Sequence, residues 1–392
     1  MAIVIPRRFL LALAVPLLAG LLGLLCVGWY VSGRIGNEAL RAAYDHRPPL
    51  CDDAVVVALT DSTITLRPAA DDSSRVRRGT TWGLRWRGGW GDVDTLLGAS
   101  SSAVTRRFHA HLGRPQPGTH VDLSAETAWS NPRQACDLPF QEVRVQTELG
   151  PTPAWLVPGA SDTWAILVHG KGAERTQALR VLELYAQQGM PCLVLTYRND
   201  PEGIASPDGR YHYGLTEWKD LEAGVRLALA HGARRIVPVG DSMGGGIILA
   251  FLENSVLATR VQGAILEAPM IDFGATIDLG IRLARMPLIG LPIPGLAGTV
   301  GKELAAIRYG IDWRSLDLSI EAGRIRAPVL LLHGDADDVV PFESSLALAT
   351  RFPDRVSLVR FHGARHLECR SIDPDRYDAA VTKFLQELPG SP

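Results

Sequence analysis

Three short segments carry side chains able to perform nucleophilic acyl chemistry, and they follow one another in a set order. Gly240-Asp241-Ser242-Met243-Gly244 places a serine between glycines. The run His333-Gly334-Asp335-Ala336-Asp337-Asp338-Val339-Val340-Pro341 offers three carboxylates, and Gly363-Ala364-Arg365-His366 ends in an imidazole. A serine hydroxyl is a weak nucleophile until a histidine takes its proton, and the histidine needs an acid to set its tautomer and stabilise its charge. Ser242, one of Asp335, Asp337 or Asp338, and His366 therefore form a candidate set for attack on an ester or amide carbonyl. His362, at a strand end, is the rival to His366.

Such a reaction also needs two backbone donors for the oxyanion. The Met243 amide, directly after the nucleophile at a helix start, is one. The turn His169-Gly170-Lys171, after an earlier apolar strand, supplies the other through Lys171, with His169 holding the turn. The Lys171 and Arg175 side chains read as solvated charges rather than as a site for an anionic group. This chemistry needs no metal and no organic cofactor.

The elements that must position these residues are legible as alternating patterns. Val143–Thr147 and Pro153–Val157, split by Gly150-Pro151, read as a hairpin, and Thr163–Val168 as a buried strand. A helix near Arg175–Gln188, a strand at Cys192–Thr196, a helix over Glu217–Ala230 and a strand at Arg235–Val239 follow. Further strands are expected at Gly263–Glu267 and Val356–Phe361. Strands alternating with helices predict an α/β fold with a doubly wound, mostly parallel sheet. Ser242 then sits at the strained turn between a strand and the helix that begins near Gly246. The flanking Gly240 and Gly244 let strand and helix approach.

On His169-Gly170, Gly240–Gly244, His333–Pro341 and Gly363–His366, the chain from about Gln141 to its end resembles the α/β-hydrolase superfamily. The branch it resembles is the serine hydrolases, which include esterases, lipases and prolyl-type or S33-like peptidases. The resemblance implies Asp337 as the acid, in the pattern His-Gly-x-x-Asp-x-x-Val-Pro, with Asp335 and Asp338 left as turn or cap residues. It also implies Ser242 as nucleophile, His366 as base, and Lys171 and Met243 as oxyanion donors. Asp241 departs from the residue often found before the nucleophile. The expected activity is cleavage of a carboxyl ester, including a lipophilic one, through an acyl-enzyme. A serine peptidase or amidase of the same fold is the alternative, and a catalytically silent binding module the second alternative.

Phe9–Val31 holds 23 residues without a charge, preceded by Arg7-Arg8 and closed by Trp29-Tyr30. As a helix it spans about 34 Å, enough for a hydrocarbon core of about 30 Å. It is expected to be an uncleaved single-pass anchor in the cell membrane, with the catalytic region extracytoplasmic. A cleaved signal peptide competes, although Val31-Ser32-Gly33 is a poor cleavage site, and a buried core helix is the third reading. Residues 32–140 read as a small β-rich module and 141–392 as the hydrolase domain. A cap insertion is expected at about 271–324, apolar over Leu279–Leu296 and broken by Pro287, Pro292 and Pro294. Trp82, Trp86 and Trp90 fit core packing in the module better than a binding surface. Cys51 and Cys136 can pair in an oxidising compartment or remain free thiols. The formal net charge of −2 excludes a general nucleic-acid binder. The partners left are a small ester, lipid or peptide substrate and the membrane.

Overall fold

Thr163–Val168 and Val329–Gly334 are buried along almost their whole length, as strands must be when helices cover both faces of their sheet. They belong to one eight-stranded sheet in a computed structural model that describes residues 7–42, 53–69, 76–77, 81–124, 131–287 and 289–388. Its strands are β7 (Gln141–Thr147), β8 (Gly150–Val157), β9 (Thr163–Val168), β10 (Cys192–Leu195), β11 (Arg235–Asp241), β12 (Ala264–Glu267), β13 (Val329–Gly334) and β14 (Val356–Phe361). The order is β14-β13-β12-β11-β9-β10-β8-β7, antiparallel only where β7 meets β8 and β8 meets β10. The remaining pairs are parallel, as the alternating pattern predicts.

Two apolar layers sandwich this sheet. Leu221, Val225, Ile247 and Leu348 cover one face, and Leu179, Leu182, Tyr377 and Val381 the other. The helices that provide them run over Leu179–Gln187, Trp218–Ala230, Met243–Asn254, Phe342–Arg351 and Pro374–Glu387. This is the doubly wound α/β-hydrolase architecture. Between β12 and β13 lies the cap, with helices Phe273–Leu283 and Gly295–Tyr309.

Ahead of the sheet, six antiparallel strands, β1 (Ala54–Leu59), β2 (Thr63–Pro68), β3 (Trp82–Trp86), β4 (Gly89–Ala99), β5 (Val104–Leu112) and β6 (His120–Ser124), close into a barrel. Closure leaves no free edge, which suits so small a module. Trp82 and Trp86 fill its core with Ile64, Leu66 and Phe108, whereas Trp90 packs against the hydrolase domain beside Ala135 and Phe140. Cys136 donates a weak hydrogen bond to the Leu179 carbonyl, and Cys51 lies outside the described residues.

The N-terminal helix α1 runs from Arg7 to Arg34 and continues as a π-helical turn, Ile35–Leu40. Leu17–Leu40 is long and apolar enough to cross a membrane by length and composition. Its last third, however, packs on the cap: Val31 and Ile35 are buried with Ile293, Ala297 and Ala305. Residues 32–42, expected in the β-rich module, therefore lie against the hydrolase domain, and the first barrel strand begins only at Ala54.

Candidate active site

β11 ends at Asp241, the helix Met243–Asn254 begins one residue later, and Ser242 has to make the whole turn. Its backbone sits at φ 53° and ψ −117°, a strained conformation for a residue with a side chain. The turn closes because Gly244 lacks a Cβ, which would lie 2.1 Å from the Val168 carbonyl oxygen. A Cβ on Gly240 would likewise meet Ile248 at 2.5 Å. Ser242 is thus lifted out of the sheet at the carboxyl end of its strand.

His366 Nε2 lies 3.0 Å from Ser242 Oγ, and its Nδ1 lies 2.8 Å from Asp337 Oδ2. Asp337 follows β13 and His366 follows β14, neighbouring parallel strands whose loops are joined by the Ala336 amide donating to the Ala364 carbonyl. The rival acids are engaged elsewhere. Asp335 accepts from Arg360 and the Gly363 amide and pairs with His362, while Asp338 pairs with Arg365. His362 is correspondingly turned away from the serine.

Asp337 is held more tightly than a triad drawing suggests. Its second oxygen accepts from the amides of Val339 and Val340, each at 2.8 Å, and its Oδ2 also faces His333 Nε2 at 3.1 Å. His333 is fully buried, and its Nε2 faces a second acceptor, the Val340 carbonyl. Nε2 therefore carries the proton, and Nδ1 accepts from Ser345 Oγ at 2.7 Å. Burial alone would raise the Asp337 pKa, but hydrogen bonds from His333 and His366 outweigh it and hold the carboxyl well below the usual range. The sign follows by linkage: the stability Asp337 contributes is complete above its unfolded pKa, near 3.8, and is lost as pH falls through its lower folded value. The difference in urea midpoint between the parent and Asp337→Asn should therefore shrink as pH is lowered from about 6 toward about 2. A constant difference would show that the carboxylate is not so held.

The turn His169-Gly170-Lys171 is braced from beneath. His169 Nδ1 lies 2.9 Å from the Gly170 carbonyl and Nε2 lies 2.9 Å from Asp200 Oδ2, both side chains being buried. Tyr197 stacks on the imidazole at 4.5 Å and donates to the His169 and Gly170 carbonyls. Gln177 Oε1 accepts from the Gly170 amide. Both nearby cations are engaged by the protein rather than free in solvent, Lys171 half-buried and Arg175 buried. Lys171 Nζ donates to the Glu38 carbonyl at 2.8 Å, and burial pushes its pKa below the usual lysine range. Arg175 is spanned by Glu142 and Glu202.

The unusual Asp241 has a physical reason. Parallel pairing sets it opposite Glu267, and Arg180 reaches between them, 2.9 Å from Asp241 and 2.5 Å from Glu267. All three are buried. Glu267 also accepts from the Cys369 amide, and Arg180 reaches the Leu367 carbonyl, so the nucleophile turn and the histidine loop share one ionic support. Arg180 and Glu267 escaped the sequence reading. The available signal was a charge inside each of two apolar runs, Leu179-Arg180-Val181-Leu182 and Ala264-Ile265-Leu266-Glu267.

A cavity of about 310 Å³ lies near this centre, with Ser242, Asp337 and His366 themselves outside its walls. Lys171, Met270 and Val339 are among its walls. Met270 donates its amide to the Ser242 carbonyl, and Val339 is two residues past Asp337. Tyr213 lines it as well.

The fold is shared with an esterase of Pyrococcus furiosus, at TM-score 0.54 and 20% identity over 67% of this chain and 97% of that one. A second crystal form of the same esterase gives 0.53 and 20%, over 67% and 96%. The quorum-quenching protein AidA of Acinetobacter baumannii strain MDR-ZJ06 is 24% identical over 231 residues, 48% of this chain and 75% of that protein. Residues 180–390, which carry Ser242, Asp337 and His366, match the prolyl oligopeptidase family. That match covers more than half of the 392 residues, and the chain is a member of this family of α/β-hydrolases.

Proposed function

We propose that the protein is a membrane-anchored serine hydrolase that cleaves a lipophilic carboxyl ester. The observation that carries this reading is the line Ser242–His366–Asp337, with contacts of 3.0 and 2.8 Å, beside a mostly aliphatic cavity. Ser242 Oγ attacks the ester carbonyl carbon while His366 Nε2 takes its proton. The carbonyl oxygen becomes an oxyanion held by the Met243 and Lys171 amides, and Asp337 stabilises the imidazolium. Collapse breaks the ester bond, and His366 returns the proton to the leaving alkoxide. Water, deprotonated by the same histidine, then attacks the acyl-enzyme, releasing the acid and restoring Ser242.

The anchor in this reading is α1, with Arg7-Arg8 inside and the catalytic domain extracytoplasmic. Exposed Leu17, Leu18, Leu21 and Leu22 on the helix, and Leu283, Ile289, Leu291 and Leu296 on the cap, support contact with a bilayer. A reporter fused to the carboxyl terminus should be active only outside the cytoplasm. A cytoplasmic signal would reverse the orientation.

Substrate class is tested by a series of aryl esters against peptide amides. If the aliphatic cavity takes the acyl group, kcat/KM should rise by about fourfold for each methylene added until the cavity is full. Peptide amides should be poor substrates. Membership of the prolyl oligopeptidase family favours the second reading, a serine peptidase or amidase. Faster turnover of peptide amides than of any ester would establish that reading instead.

A further inference from the structure

The cavity beside the catalytic centre has two walls from segments far apart in the chain. Val31, Ile35 and Ala39 come from the end of the N-terminal helix, and Ile277, Ile281 and Ile293 from the cap. We propose that residues 31–40 are the acyl-selecting wall of the active site. The helix that leads out of the apolar stretch would then measure the chain length of the ester being cleaved. This deepens the ester reading above and rests on it.

The wall is built into the domain. A Cβ on Gly301 would lie 2.5 Å from Val31, so the cap helix Gly295–Tyr309 approaches α1 as closely as two backbones allow. Val31 is 2% exposed and Ile35 3%, and Arg308 stacks on Trp29 while donating to Ser32 Oγ. The last carbonyls of a helix have no partner within it and must find one elsewhere. Here Glu38 accepts from Lys171 Nζ, Ala39 from the Tyr213 hydroxyl at 2.6 Å, and Leu40 from the Tyr211 amide at 2.8 Å. The cationic Lys171 also suits the negative end of the helix. Lys171 is the residue whose amide faces the proposed oxyanion role, so the helix end and the reaction centre are fastened to each other.

The chemistry of the wall selects the ligand. Five of the six side chains named are branched aliphatics, and Arg34, Glu38, Lys171 and Asp338 add charged groups to the lining, so the cavity suits a hydrocarbon chain attached to a polar group such as an ester. At about 310 Å³ it is near the lower limit for small-molecule sites, which fits one chain of medium length rather than a pair of long ones. Cleavage near Val31-Ser32-Gly33 would remove part of this wall. The proposal therefore also requires α1 to remain on the mature protein.

The test uses the full chain in detergent, with p-nitrophenyl esters from acetyl to dodecanoyl, and reads the octanoyl-to-acetyl ratio of kcat/KM within each variant. Ala39→Phe fills the cavity from the helix side and should lower that ratio at least tenfold, about the effect of two lost methylenes. Ile35→Ala should move the preferred chain longer by one or two carbons. Ile281→Ala, on the cap wall, reports whether the cavity is used at all. Covalent phosphonate labelling and the thermal midpoint verify folding, and Ala39→Met replaces Ala39→Phe if the latter unfolds. A shift with Ile281→Ala, but none with the two helix variants, would overturn the proposal and leave the ester reading intact. A parent protein that cleaves no ester, or shows no chain-length preference, would instead remove the reading on which it rests.

Discussion

Ser242→Ala should lower ester turnover by about four to six orders of magnitude, because the serine and His366 act as a unit and removing either leaves only binding and the oxyanion donors. Asp337→Asn should cost about 10⁴ in kcat by favouring the wrong tautomer of His366. Asp335→Asn and Asp338→Asn should each cost less than tenfold, since their carboxylates face Arg360, His362 and Arg365 rather than the base. Steady-state kinetics on one aryl ester rank the four variants. If Asp335→Asn or Asp338→Asn proved the more damaging, the acid would have to move.

Arg180→Met should be the most destabilising single change in the hydrolase domain, by about 3–5 kcal/mol. The reason is the pair of carboxylates it would strand. Asp241 and Glu267 are register partners on adjacent parallel strands, both buried, and the guanidinium between them is the cation that bonds to both. A loss of that size is a large fraction of the stability of an ordinary domain. Replacing all three residues together by apolar ones of similar volume should cost much less than Arg180→Met alone, because no unpaired charge remains. Urea unfolding of the single and triple variants checks both statements. Equal losses would mean that the network contributes through packing rather than charge.

The parallel sheet was legible because its strands are apolar runs of four to seven residues separated by helical periods, a pattern that burial on both faces imposes. Ser242, Asp337 and His366 were legible as motifs, and they fall in the loops after β11, β13 and β14. The shared ionic support was hidden for a different reason. Asp241 and Glu267 become neighbours only through strand register, and Arg180 reaches them from the helix Leu179–Gln187 packed on the sheet, neither of which single-chain periodicity encodes. The same applies to the π-helical end of α1. Ser32, Arg34, Asn37 and Glu38 mark the end of the apolar stretch, but that Val31, Ile35 and Ala39 form a wall of the cavity depends on a cap far along the chain. His333 was visible in its motif, but its hold on Asp337 depends on Ser345, twelve residues on in the next helix.

The most direct measurement is mass-spectrometric mapping of the protein after reaction with an activated fluorophosphonate. The reagent forms a bond only with a hydroxyl whose proton is being removed and whose developing oxyanion is held. The account predicts a single stoichiometric adduct on the peptide containing Ser242, absent from Ser242→Ala and strongly slowed in His366→Ala. An adduct on another residue, or undiminished labelling of Ser242→Ala, would contradict it.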